Sequence, residues 1–178
     1  LIAMPDGECK VEALKIGDLI TTADGRAVPV RWIGRQTVHK AFASARVQPV
    51  RIAAGALGRG APCKDLVLTS DHALILDGVA INAGALVNGT TIQVLPMEQQ
   101  PERVTYFHVE TEAHDVILAN GLPAETYVDF VRRQAFDNYQ DYVALYGEER
   151  SIPAMPLPRA SSARLIPCAL RSHLGLDG

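Results

Sequence analysis

From Leu19 to Ala119 apolar and polar residues alternate in short runs, and turn-forming residues punctuate the runs. Leu19 to Thr22 predicts a strand, and Ala23-Asp24-Gly25-Arg26 a turn of the Asp-Gly type. Ala27 to Arg35 continues with Val28, Val30 and Trp32 alternating, and Pro29 marks an edge position or a bulge. Gln48 to Ile52, Leu66 to Leu68, Ala73 to Leu76, Val79 to Ile81, Thr90 to Leu95, Val104 to Glu110 and His114 to Ala119 read as further strands. Asp77-Gly78 and Asn120-Gly121 supply hairpin-type turns between them. Strands this short and this regularly spaced predict a sandwich or barrel-like β body.

The pattern changes after Gly121. Pro123 suits a first helical position, and Phe130, Gln134, Phe136, Tyr139, Tyr142, Val143 and Tyr146 follow at three- and four-residue spacings. One or two helices are expected between Pro123 and Gly147, with the aromatic stripe packed on an edge of the β body. From Ser151, Pro153, Pro156, Pro158 and Pro167 predict an extended tail along the surface. The predicted fold class is therefore mainly β, divided as a β domain at 1–122, a helical appendage at 123–147 and a Pro-rich tail at 148–178.

Composition narrows the function. Of 178 residues, 48% are hydrophobic and 21% charged, which is ordinary globular usage. Seventeen Lys and Arg against 20 Asp and Glu leave a net charge of −3, so no broad cationic field invites nucleic acid. The opening Leu1-Ile2-Ala3-Met4-Pro5 has no basic signal region and is too short an apolar run to span a membrane. Such a start implies either residues further upstream or a product of processing. Cys9, Cys63 and Cys168 are widely spaced and fit neither a disulfide framework nor a zinc ribbon, so three free thiols are expected.

Candidate chemistry gathers in two segments. In Asp65 to Leu76, Thr69 and His72 stand three apart where a strand breaks, a spacing that aims a hydroxyl and an imidazole at one point. The hydroxyl can hold a carbonyl or amide, and the imidazole can move a proton near neutral pH. The same residues also fit a capped turn with a packed histidine. The second segment carries His108 on an alternating strand and His114 ahead of Val116 to Gly121. His72, His108 and His114 could alternatively gather with Asp71 or Asp115 around zinc.

Taken in order, Pro5-Asp6-Gly7-Glu8 with Val11 to Ile20 and Thr22 to Arg26, then Thr69-Ser70-Asp71-His72, then Val104 to Gly121 resemble a Hint domain. This is the self-processing module of Hedgehog proteins and inteins, and the likeness is closest to the bacterial Hint branch that lacks a splicing ending. It covers about Leu1 to Tyr127. The resemblance implies an autocatalytic N-to-S (or N-to-O) acyl shift, in which a Cys or Ser attacks the peptide bond just before it. The substrate would be the chain's own upstream polypeptide, and no cofactor is implied.

In that resemblance Thr69 holds the scissile amide, and His72 protonates its leaving nitrogen. His114 orients or assists the thioester step. His108 falls where many inteins carry an aspartate near the nucleophile, and it equally fits a solvent-facing strand position. Two features depart from the family pattern. No Cys or Ser opens the chain, and Cys9 lies past the Asp6-Gly7 turn rather than at the nucleophile's position. Asn120-Gly121 runs into Leu122-Pro123-Ala124-Glu125, without the His-Asn ending that splicing uses. Cleavage without splicing is the expected activity, given an upstream nucleophile. The alternatives are an inactive Hint-like binding or secretion-associated module and a metal-binding β domain.

Overall fold

A computed structural model describes residues 1–42, 47–174 and 176. Fourteen strands and two short α-helices order the described residues. The chain opens with β1 (Ile2–Met4) and β2 (Gly7–Cys9), a hairpin turned at Pro5-Asp6. β3 (Leu19–Thr21) and β4 (Ala27–Pro29) form the hairpin expected around Asp24-Gly25. β5 (Trp32–His39) pairs along its whole length with β11 (Arg103–Glu110) as a long two-stranded ribbon. β6 (Pro49–Ile52) is the centre of a three-stranded sheet between β10 (Ile92–Val94) and β7 (Leu66–Thr69).

The largest sheet has seven strands, in the order β14-β9-β8-β13-β12-β1-β2. Its members include β8 (Ala73–Leu76), β9 (Val79–Asn82), β12 (Val116–Ala119), β13 (Leu122–Glu125) and β14 (Arg159–Ala160). Its interior face joins the other sheets over a core that includes Ile20, Ile52, Leu74, Ile81 and Leu86, all fully buried. Burying each such side chain contributes roughly 1.5–3 kcal/mol.

Two expectations change. Pro123 does not start a helix but lies in β13, facing Leu118 across the Asn120-Gly121 hairpin. The pairing of β13 with β8 is registered only at Ala124 opposite Leu74, one residue past the proline that lacks an N–H. Helix therefore begins later, as α1 (Tyr139–Tyr146), preceded by a 3-10 turn at Arg133–Ala135. The Pro-rich stretch is also more ordered than an extended tail: it contains β14, which lies parallel to β9, and α2 (Cys168–His173). Residues 175, 177 and 178 of that stretch lie outside the described residues.

The aromatic stripe packs in part: Phe136, Tyr142 and Tyr146 join the aromatic core, whereas Phe130 is 64% exposed. Trp32, Tyr127, Phe136, Tyr142 and Ile152 form a second core beside the β5–β11 ribbon. Edge-to-face contacts of 5.3 Å from Trp32 to Phe136 and 5.2 Å to Tyr142 organise it.

Candidate functional site

The turn at Thr69-Ser70-Asp71-His72 closes when the His72 N–H donates to the Thr69 carbonyl at 3.1 Å. The neighbouring segment locks it: the Ala83 N–H donates to the His72 carbonyl and the Gly84 N–H to the Ser70 carbonyl. Gly84 leaves room for the Ser70 hydroxyl, since a Cβ there would stand 2.1 Å from Ser70 Oγ and turn it away. The spacing that suggested a hydroxyl and an imidazole aimed together is thus a rigid turn, and both side chains line one cavity of about 430 Å³.

His108 comes to the same cavity from β11. Its cross-strand partner is Gly34, whose missing side chain leaves room for Phe136. The Phe136 ring packs edge-on against His108 at 5.0 Å, and the His72 and His108 rings stand 6.1 Å apart. The solvent-facing alternative for His108 does not hold.

The Asn120-Gly121 turn is the third component. Both residues take positive φ, 47° and 79°, as a tight hairpin of this type requires. That conformation lets Asn120 clamp the start of the chain. Its Oδ1 accepts from the Leu1 nitrogen at 2.6 Å, its N–H donates to the Leu1 carbonyl at 2.8 Å, and its Nδ2 donates to the Asp65 carbonyl at 3.0 Å. Leu1 is held on the wall of the cavity that contains Thr69, His72 and His108. A second cavity, of about 470 Å³, lies along Phe130, Val131 and Arg159 and shares Thr69, His72, His108 and Glu125 with the first.

His114 sits elsewhere. It lines neither cavity and is buried behind Glu125, with Nε2 3.4 Å from a Glu125 carboxylate oxygen. The Met155 N–H donates to His114 Nδ1 at 3.0 Å, so the ring proton is on Nε2, facing that carboxylate. His72 and His108 meet, and His114 stands apart from them with Nδ1 held by the Met155 N–H and Nε2 facing Glu125. Among the described residues no group of three or more His, Cys, Asp or Glu is placed to hold a metal ion.

Glu125 and Arg159 are the polar residues that sequence reasoning missed. The Glu125 carboxylate accepts from the Ala73 N–H at 2.8 Å and from Arg159 Nη2 at 2.5 Å. Its backbone carbonyl accepts from His72 Nε2 at 3.1 Å. Glu125 ends β13, the strand after the Asn120-Gly121 turn, and neither it nor Arg159 carried a signal in the sequence.

The electrostatics follow from burial. Desolvation pushes His72 below its ordinary value, against the opposing pull of Glu125. It also takes His108 down to about 3, with the neighbouring His72 adding to the effect. Burial raises Glu125, but hydrogen bonds from His114 and Arg159 outweigh it and bring the carboxyl down to about 2. The site therefore holds two neutral imidazoles beside an ionised carboxylate. A neutral His72 whose Nε2 proton is committed to the Glu125 carbonyl offers a lone pair at Nδ1.

The three cysteines are free thiols, as expected. Cys9 lies opposite Ile2 in the β1–β2 hairpin with Sγ donating to the Lys10 carbonyl, and Cys63 and Cys168 are exposed. No helix among the described residues is long and apolar enough to cross a membrane.

These features define a mainly β domain with the Leu1 backbone clamped on the wall of a histidine-lined cavity. Residues 1–130 match the family model for the Hint domain, and the chain belongs to this family of autoprocessing-type domains. Among solved structures, one of the MchDnaB-1 intein is similar at 14% identity with a TM-score of 0.45, covering 71% of this chain and 95% of that one. The Msm DnaB1 intein splicing domain bound with zinc is similar at 13% identity and a TM-score of 0.43, covering 69% and 93%. No curated protein matches the chain.

Proposed function

We propose that this chain is a self-cleaving module that performs an N-to-S (or N-to-O) acyl shift on its own upstream polypeptide and releases it without splicing. One observation carries the reading: the Asn120 N–H holds the Leu1 carbonyl at 2.8 Å on the wall of the cavity that contains Thr69, His72 and His108. A peptide continuing ahead of Leu1 would start from that wall, and a Cys or Ser a few residues ahead would be the nucleophile.

The chemistry suits the groups present. Amide resonance keeps a peptide bond planar and unreactive, so its nitrogen must gain a proton as it leaves. Neutral His72 accepts the thiol proton at Nδ1 while sulfur adds to the carbonyl carbon. The same proton then passes to the amide nitrogen, the C–N bond breaks, and a thioester remains. Water or another nucleophile resolves it by adding to the acyl carbon and releasing the thiol. Thr69 Oγ1 holds the scissile amide, His108 lines the space beside the reacting atoms, and His114 acts from behind Glu125 by orienting that carboxylate. The Asn120-Gly121-Leu122-Pro123 continuation lacks the His-Asn pair for cyclisation, which supports cleavage as the end point.

The test is a precursor in which a reporter and a short segment opening with Cys precede Leu1. Intact-mass measurement should find two fragments cut before that Cys, with Thr69→Ala slowing the reaction and His72→Ala slowing it far more. An uncut precursor, or cutting at the same rate in His72→Ala, refutes the assignment.

A further inference from the structure

The family match ends at residue 130, yet Arg159 and Met155, which support the site, lie beyond it. β14 lies parallel to β9, with Arg159 opposite Ala80 and the Ala80 N–H donating to the Pro158 carbonyl. From this strand the Arg159 guanidinium lies over the Phe130 ring at 4.8 Å and donates to Asn82 Oδ1 at 3.1 Å. It also donates to both Glu125 carboxylate oxygens, at 2.5 and 3.3 Å. A planar guanidinium bound to both oxygens fixes the plane of a carboxylate, which an ammonium cannot do. Four residues earlier the Met155 N–H holds His114, whose Nε2 faces the same carboxylate. The start of the strap is anchored too, because the Ile152 N–H donates to Asp129 Oδ2 and Ile152 is buried in the aromatic core.

What Glu125 does with that support is specific to His72. Backbone pairing between β13 and β8 is registered only at Ala124 with Leu74. Next to that pair, the Glu125 carboxylate takes the Ala73 N–H and the Glu125 carbonyl takes His72 Nε2. One residue thus grips both the backbone beside His72 and the ring itself.

We propose that the segment Ile152–Ala160 is a strap that completes the site, and that Arg159, acting through Glu125, is a positioning residue for the His72 imidazole. The strap keeps the ring proton on Nε2 and the lone pair of Nδ1 open toward the cavity. The rate consequence rests on His72 being the proton carrier proposed above; the effect on the ring does not.

The experiment reads the ring and the rate separately. Nitrogen-15 NMR of the histidines in the full chain assigns the His72 tautomer, and the Cys-segment precursor gives the cleavage rate. Arg159→Met should move the His72 signals from a single Nε2–H tautomer toward an averaged imidazole and slow cleavage on the order of ten- to a hundredfold. Arg159→Lys should recover part of both, and loss of the exposed charge in Arg164→Met should change neither. If Arg159→Met fails to fold, Glu125→Gln provides the same readout, since it keeps an acceptor for the Ala73 N–H and loses the charge that Arg159 grips. An unaltered His72 spectrum in the folded variant overturns the strap. A precursor that never cleaves, with the spectral change present, overturns the proposed function and leaves the strap standing.

Discussion

Two buried glutamates in this molecule meet arginines from the C-terminal third, and they serve different ends. Glu110 is fully buried at the end of β11, bound by Arg133 Nε at 2.9 Å and Arg150 Nε at 3.3 Å. Arg133 lies between the Tyr127 and Tyr142 rings, 4.7 and 4.8 Å from their centres, and reaches Asp129 as well. No imidazole approaches this knot among its described partners. Glu125 has the same kind of arginine partner but also touches His114, the Ala73 backbone and, through its carbonyl, His72. A carboxylate in an aromatic core fastens one part of the fold to another; a carboxylate beside a histidine-lined cavity also sets how a proton is held.

The largest effect should come from breaking the knot. Arg133→Met leaves Glu110 buried with only Arg150, and should cost about 3–5 kcal/mol in urea unfolding. The cleavage rate per folded molecule should stay near that of the unaltered chain. A specific rate loss at full folding would erase the distinction between the two glutamates. His72→Ala is the mirror image: cleavage of the Cys-segment precursor should fall roughly 10²–10⁴-fold while the melting temperature moves little.

Acid separates the two regions more gently. Glu125 is held at about 2, below its ordinary 4.5, so its contribution to stability is fully present above 4.5. That contribution should disappear as pH falls from 4.5 through 2, on the order of 2 kcal/mol in all, and should be missing in Glu125→Gln. Acid titration of unfolding free energy in both chains checks this. His72 lies below its ordinary 6.5, so it remains neutral there, and cleavage should not decline as pH drops to 6.5. A decline centred on 6.5 would mean an exposed imidazole does the work.

The smallest change tests the seam between the regions. A Cβ on Gly34 would lie 2.8 Å from Trp32 and 2.9 Å from Phe136, the ring that packs on His108. Gly34→Ala should cost roughly 1–2 kcal/mol and displace Phe136, visible as a shifted His108 signal. An unmoved His108 would show that the aromatic core and the cavity are independent.

Much of this was legible where the determinants are local. The Thr69–His72 turn, the Asn120-Gly121 hairpin and the long strand ending at Glu110 each depend on residues a few positions apart, and alternation or turn chemistry reveals them. The site's supports are not local. Arg159 meets Glu125 from 34 residues away, and no periodicity encodes that encounter. Pro123 misled because a proline that opens helices also fits a strand where the neighbouring ladder has not begun. The Pro-rich stretch read as an extended tail because the strand it contributes, β14, is two residues long and borrows its order from β9. His114 carried the family's motif position, yet the fold places it behind the carboxylate, and His108 takes the cavity wall.

The central claim is that the cavity around His72 drives an acyl shift ahead of Leu1. Trapping the acyl intermediate tests it most directly. Hydroxylamine added to the Cys-segment precursor should release the upstream fragment as a hydroxamate, identified by its mass, and replacing that Cys with Ala should abolish the product. An upstream fragment formed equally well without the Cys, or no hydroxamate from a folded precursor, would contradict the account.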